Sequence, residues 1–288
     1  MFDAPAEITR LVMRNPQSLE AVELPNRFGA TALHSACASH KVSESVANVV
    51  ALGTQHAASA EDKLKRTPLH VAAQNMHATS ELIHVLCEMN IDATTGRTQR
   101  GHLPLHLAAQ SEAKEETVKA LIRAHPEATQ ARNKSSNTPL HDAAKYRASP
   151  KVVRLLLDAY PDAVYIQNQY GNLPLHCATA YQAPSEVVQL LLEAWPDGAA
   201  MQNRNQDAPL HYAAAYNIST NIIQHLLDAA PAAVLLLNSS GQSPLDRAMA
   251  INAPEDVIDL LEDAAQQWTK KAATDGWGAF SDHEKRGF

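Results

Sequence analysis

The sequence is poor in the residues that announce chemistry. Only 5 % of its 288 residues are aromatic, there are just 10 Gly, and the three cysteines, Cys37, Cys87 and Cys177, show no paired spacing. That pattern supports neither a disulfide framework nor a zinc knuckle, so the thiols are expected to be reduced packing residues. No apolar run approaches the ~18 residues of a membrane-spanning helix. The opening Met1-Phe2-Asp3-Ala4-Pro5 also lacks the charged-then-apolar order of a secretory leader. The expectation is a cytoplasmic chain, with the nucleus as the other compartment, that does not insert into membranes. A net charge of −7 sets nucleic acid aside as a main partner, because phosphate neutralisation needs a surplus of Lys and Arg. Gly-x-Ser-x-Gly, His-Glu-x-x-His and Gly-rich phosphate loops are all missing. Nucleophilic, zinc-hydrolase and nucleotide chemistry therefore lack a starting point, and no enzyme activity, cofactor or metal is expected.

What the chain has instead is a phrase that returns. It reads Thr31-Ala32-Leu33-His34, Thr67-Pro68-Leu69-His70, Leu103-Pro104-Leu105-His106, Thr138-Pro139-Leu140-His141, Leu173-Pro174-Leu175-His176, Ala208-Pro209-Leu210-His211 and Ser243-Pro244-Leu245-Asp246. From His34 the steps are 36, 36, 35, 35, 35 and 35 residues. A period of that size marks a repeat array in which each unit packs on its neighbours. The phrase, followed by Ala-Ala or a near match, resembles the Thr-Pro-Leu-His-x-Ala motif of ankyrin repeats. The resemblance implies an all-α solenoid of stacked helix-turn-helix units with projecting turns. Seven repeats are expected over 22–269, starting near 22, 58, 94, 129, 164, 199 and 234. A capping half-repeat is expected at 1–21 and a flexible tail at 270–288, where helical period is lost.

Each unit has one grammar. A turn such as Asn168-Gln169-Tyr170-Gly171-Asn172 supplies residues that accept positive φ, and Pro174 opens a short first helix where its missing N–H does no harm. A second helix follows, with an apolar stripe such as Val187, Val188, Leu190, Leu191 and Leu192 that neighbouring units must cover. The second helices stop at Pro126, Pro161, Pro196 and Pro231. Ankyrin units more commonly span 33 residues and carry a Gly-His pair between helices, and both features are replaced here. The turn at 61–66 has Lys65 where the turns at 29, 101, 171 and 241 have Gly, so that finger is expected to be distorted or mobile.

Six of the 14 histidines, His34, His70, His106, His141, His176 and His211, share one register. Stacked helices lie ~8–10 Å apart while metal ligands converge to ~2 Å from one ion, so these rings cannot share a metal. They are expected to be structural, bonding turn backbone of their own or the next unit. Two other sets are candidate recognition surfaces. Tyr146, Tyr181 and Tyr216 each follow the repeat position by five residues. That is a rotation of ~140° away from the packed side, and the ankyrin resemblance places such positions on the partner-binding face. Tyr170 lies on a projecting turn. Tyrosine suits interfaces because a large ring carries a polar tip. The second set is basic: Arg27, Lys63, Lys65, Arg66, Arg97, Arg100 and Lys134 fall in or beside N-terminal turns, whereas the last three turns offer only Arg204. The leading expectation is a monomeric, non-catalytic scaffold or adaptor that binds another protein in the groove of turns and first helices. The alternative is a regulatory inhibitor that occludes an enzyme through the basic turns.

Overall fold

The structure, a computed structural model, describes residues 24–40, 54–216 and 219–274. The expected half-repeat at 1–21 and the tail beyond Thr274 lie outside them. The described residues form fourteen α-helices and no strand. Numbered in chain order, the first helices of successive repeats are α1 (Ala32–Cys37), α3 (Pro68–Gln74), α5 (Pro104–Gln110), α7 (Pro139–Lys145), α9 (Pro174–Ala180), α11 (Pro209–Ala215) and α13 (Pro244–Ala250). The second helices are α4 (Ser80–Met89), α6 (Glu115–Ala124), α8 (Pro150–Ala159), α10 (Ser185–Ala194), α12 (Thr220–Ala229) and α14 (Glu255–Thr274). Helix α2 (Gln55–Ser59) stands in the register where later repeats carry a 3-10 turn such as Pro126–Thr129 or Pro196–Ala200.

The first helix forms because its entry is over-determined. A residue before proline is pushed into extended backbone, as at Leu103 (φ −80°, ψ 164°), and Pro104 then presets the helical φ. The histidine two residues on folds back, so that Leu103 N–H donates to His106 Nδ1 at 3.2 Å. Small residues follow. Ala72, Ala73, Ala108, Ala109, Ala213 and Ala214 are completely buried and let neighbouring first helices approach closely. Helices α7, α9 and α13 end in a left-handed residue. Gln182 takes φ 55°, and Ala183 N–H returns to Ala178 C=O at 2.9 Å, a Schellman closure in which Gln replaces the usual glycine. Arg147 (φ 60°) and Asn252 (φ 53°) repeat it. The prolines that stop the second helices open the 3-10 turns, whose fixed φ they suit.

The molecule divides into two compact units, one reaching Ala143 with Arg154–Tyr160, the other comprising Ala144–Val153 and everything from Pro161. In the first unit, α1, α3 and α5 pack in sequence as one layer and α4 on α6 as the second. In the second unit, α9, α11 and α13 form the inner layer and α10, α12 and α14 the outer. Val187, Val188 and Leu191 on α10 are fully buried, each apolar side chain contributing about 2 kcal/mol of transfer free energy. All three cysteines are buried thiols outside any disulfide, and burial pushes the Cys87 thiol up to about 11, so they are packing residues.

Two expectations fail. The finger at 61–66 is regular: Lys65 adopts φ 58°, Lys65 N–H donates to Asp62 C=O at 2.8 Å and Asp62 N–H to Arg66 C=O at 2.9 Å, as in the glycine-bearing fingers. Ser136 (φ 59°) and Gln206 (φ 59°) do the same. The backbone bonds of the turn offset the ~1–2 kcal/mol that a left-handed side-chain residue costs. The tail also begins later than expected. Helix α14 continues through Lys270 to Thr274, carried by Lys and Ala, both good helix formers, and by the Lys271 ammonium lying 5.4 Å over the Trp268 ring.

Candidate protein-binding surface

Each projecting turn is built around one side chain. Asn168 Oδ1 accepts N–H bonds from Tyr170 (2.9 Å) and Asn172 (3.1 Å), and Asn26, Asp62, Asn133, Asn203 and Asn238 do the same in their own turns. The side chain thereby replaces a backbone acceptor and stiffens the finger. The positive φ falls three residues later, at Gly171 (77°) in this finger. Backbone bonds then tie finger to finger: Lys63 N–H to Phe28 C=O, Lys134 N–H to Arg100 C=O (both 3.0 Å) and Arg204 N–H to Tyr170 C=O (3.1 Å).

The repeated histidines complete the joint. His106 Nε2 lies 3.1 Å from Asn137 C=O and His176 Nε2 3.1 Å from Asp207 C=O, in each case the carbonyl that precedes the next repeat's phrase. His34, His70 and His211 reach Arg66, His102 and Gln242 in the same way. Because Nδ1 receives a backbone N–H, the ring is neutral with its proton on Nε2, donating to that carbonyl. Burial depresses His34, His70, His106 and His211, His70 to about 4 and His106 to about 3, against the pull of their carbonyl partners. His141 repeats the Nδ1 contact to Thr138 N–H at 3.3 Å. In the last repeat Asp246 substitutes a capping box, accepting Ser243 N–H at 2.8 Å, and has no ring with which to join a further unit. Among the described residues no group of His, Cys, Asp or Glu could hold a metal ion.

Tyr146, Tyr181 and Tyr216 all belong to the second unit and stand just past the last residue of α7, α9 and α11, each roughly half exposed. The helical rotation that places them assumed a continuing helix, but the chain has already left it, and behind Tyr146 and Tyr181 the left-handed Arg147 (φ 60°) and Gln182 (φ 55°) turn the backbone. Lys145 lies between two of them, its ammonium 5.3 Å from the Tyr146 ring and 5.0 Å from the Tyr181 ring. Partial burial opposes this charge, yet the Tyr146 and Tyr181 hydroxyls hold the lysine pKa above its ordinary value. Tyr216 stacks parallel on Tyr212 at 6.2 Å, and the Tyr212 hydroxyl accepts from Asn203 Nδ2 at 2.9 Å at the base of a finger. A continuous polar and aromatic ridge therefore runs from finger base to helix end. Tyr170 is the exposed tip of its finger.

The basic residues all lie in the first unit and fall into two groups. Arg66 is paired with Asp62 at 2.8 Å, and Arg97 donates to Gly101 C=O and Arg132 C=O at 3.0 and 2.8 Å, so both brace the fingers. Arg27 covers the exposed Phe28 ring at 4.7 Å. Lys63, Lys65, Arg100 and Lys134 are exposed and make no ion pair or side-chain hydrogen bond among the described residues. A groove of about 280 Å³ opens between the fingers that carry Leu64 and Arg100, floored by Gln74 of α3 and Gln110 of α5.

The sequence profile described as "Ankyrin repeats (3 copies)" matches residues 44–130, 80–165, 105–202 and 175–271. The chain belongs to the ankyrin-repeat family. Among solved structures, the human ASB11 ankyrin repeat domain superposes with a TM-score of 0.64 at 23 % identity, covering 81 % of this chain and 96 % of that one. At such identity the likeness speaks for the ankyrin fold alone. No curated protein matches the sequence.

Ankyrin repeats are in general protein–protein interaction modules, and the fold is typically a non-catalytic scaffold. No helix among the described residues is long and apolar enough to cross a membrane. Within this ankyrin array, sequence reasoning passed over Lys145, Tyr212 and the finger asparagines. The asparagines were legible, since Asn133, Asn168, Asn203 and Asn238 recur every 35 residues. Lys145 and Tyr212 were not, because neither recurs and their partners come from other turns of helix or other repeats.

Proposed function

We propose that this ankyrin protein is a cytoplasmic, monomeric, non-catalytic adaptor that holds a partner protein in the groove of fingers and first helices, with Tyr146, Tyr181 and Tyr216 as anchors. The observation that carries this reading is the set of three half-exposed rings in one register, two of them sharing Lys145 and the third stacked on Tyr212. Large rings held by their own neighbours present apolar area with little further loss of rotamer entropy on binding, which is what interface anchors need. Replacing all three tyrosines by Ala is expected to abolish partner capture from native cell extract while leaving the melting temperature within a few degrees of the parent. A large fall in melting temperature would reassign the rings to packing, and undiminished capture would remove them from the interface.

A second reading is favoured by charge. The fingers 61–66, 97–102 and 132–137 carry seven cations against two acids, a net +5, while fingers 167–172, 202–207 and 237–242 balance Arg204 against Asp207. An inhibitor that covers an enzyme's acidic rim would use that asymmetry. Reversing Lys63 and Lys65 to Glu should then relieve inhibition, and partner binding that does not change across a salt series would count against it.

A further inference from the structure

We propose that the groove between the second and third fingers of the first unit is a subsite for the oxyanion side chain of an acidic peptide. Arg100 and Arg66 would serve as its cations and Leu64 as its apolar lip. The inference rests on the protein-binding reading above and specifies what a partner presents at this point.

The groove, about 280 Å³, is large enough for one acidic side chain and a short stretch of backbone, and lies below the usual size of a cofactor pocket. Arg100 on the third finger is exposed, and its side chain makes no ion pair or hydrogen bond among the described residues. Arg66 on the second is anchored through Nε to Asp62 Oδ2 at 2.8 Å, and its Nη1 extends to Gln74 Oε1, at 3.4 Å, on the groove floor. One guanidinium is therefore preset and the other unclaimed. A planar fork is the side chain best matched to a carboxylate or phosphate.

The floor is equally specific. Asp142 is buried and accepts from Gln110 Nε2 (3.0 Å), Asn133 Nδ2 (3.3 Å) and Asn137 Nδ2 (2.9 Å). A carboxylate only accepts, so the Gln110 amide orientation is settled and its Oε1 is left to receive a peptide N–H. The negative charge of Asp142 opposes an entering anion, yet three donors saturate it and His102 Nε2 lies 3.8 Å away. Around the groove the net +5 of three fingers, in a chain of net −7, sets a local field that attracts acidic segments. Leu64, half exposed at the rim, and Leu107 beneath offer contact to an apolar residue beside the acid.

Three fluorescein-labelled peptides of one length test this against the full chain at physiological salt by anisotropy. One alternates Glu with Leu, one carries phosphoserine in place of Glu, and one carries Gln. Tighter binding of either charged peptide than of the Gln peptide supports the subsite, and the stronger of the two tells carboxylate from phosphate. Arg100→Ala should weaken the charged peptide about ten-fold, the scale of a charge-assisted hydrogen bond. Lys134→Ala, an equally free cation outside the groove lining, should weaken it no more than about two-fold. Equal losses from the two variants would mean a diffuse field instead of a site and would overturn the proposal, as would a Gln peptide that binds as well as the others. The Tyr146, Tyr181 and Tyr216 triple Ala variant should bind these peptides unchanged. Failure of the peptide titration thus stands apart from failure of the adaptor reading, which the tyrosine capture experiment decides.

Discussion

Acidification should loosen this protein well before its carboxylates titrate. His70 and His106 have no solvent exposure, each Nδ1 accepts a backbone N–H, and each Nε2 donates to a carbonyl of the next repeat. A second ring proton would point at that N–H, so folding favours the neutral form and the folded pKa values fall to about 4 and about 3, below the ordinary 6.5. A His depressed in this way stabilises fully above pH ~6.5 and loses its contribution as pH falls toward the folded value. At pH 5 the loss is about 2 kcal/mol for each ring, from about 1.4 kcal/mol per pH unit over the interval below 6.5. The pair together costs about 4 kcal/mol, a large share of the 5–15 kcal/mol typical of a domain. His34 and His211, also depressed by burial, add in the same direction. Asp62, held below the usual carboxylate range by Arg66 and Leu64 N–H donors against its burial, keeps its own contribution above pH ~4 and cannot mask the effect. Urea unfolding followed by circular dichroism at pH 7.5, 6.5, 5.5 and 5.0 should show a midpoint flat to 6.5 and then falling. A midpoint unchanged between 6.5 and 5.0, or a ring in the repeat register titrating near 6.5 by NMR, would refute the joint as described.

Gly171→Ala should destabilise more than Gly241→Ala. Both need positive φ, but a Cβ at Gly171 would meet Arg204 N at 2.8 Å, the donor that bonds finger to finger, whereas nothing lies within 4 Å at Gly241. Melting curves should separate them by about 1 kcal/mol or more. Asn203→Ala removes the acceptor for Asn205 and Asp207 N–H and should cost about 2 kcal/mol in chemical denaturation. Asp142→Ala strands the amides of Gln110, Asn133 and Asn137 and should cost about 3 kcal/mol, with Asp142→Asn recovering part of it.

Much of the architecture was legible because a repeat states its rule seven times. Pro at a fixed place, His at N3, paired alanines and a stop proline each constrain the backbone locally, and agreement among copies removes ambiguity. Reading a single position went wrong where two local terms compete. Lys65 looked unfit for a glycine position, but the backbone bonds of the finger outweigh the strain. Lys270 looked like the start of a tail, but the α14 helix had no reason to stop at residues that favour it.

The sequence alone therefore determined the family, the register of the repeats and the structural task of the histidines, all of which follow from short-range spacing. Tertiary structure decided which surface residues are available. Arg97 is spent on bracing fingers, Arg66 is held in place through its Nε by Asp62, the Arg100 and Lys134 side chains make no ion pair among the described residues, and Lys145 belongs to two tyrosines that lie 35 residues apart. No periodicity encodes such distinctions. They depend on which side chains from different repeats arrive within a few ångströms of one another, and that is fixed only when the units stack.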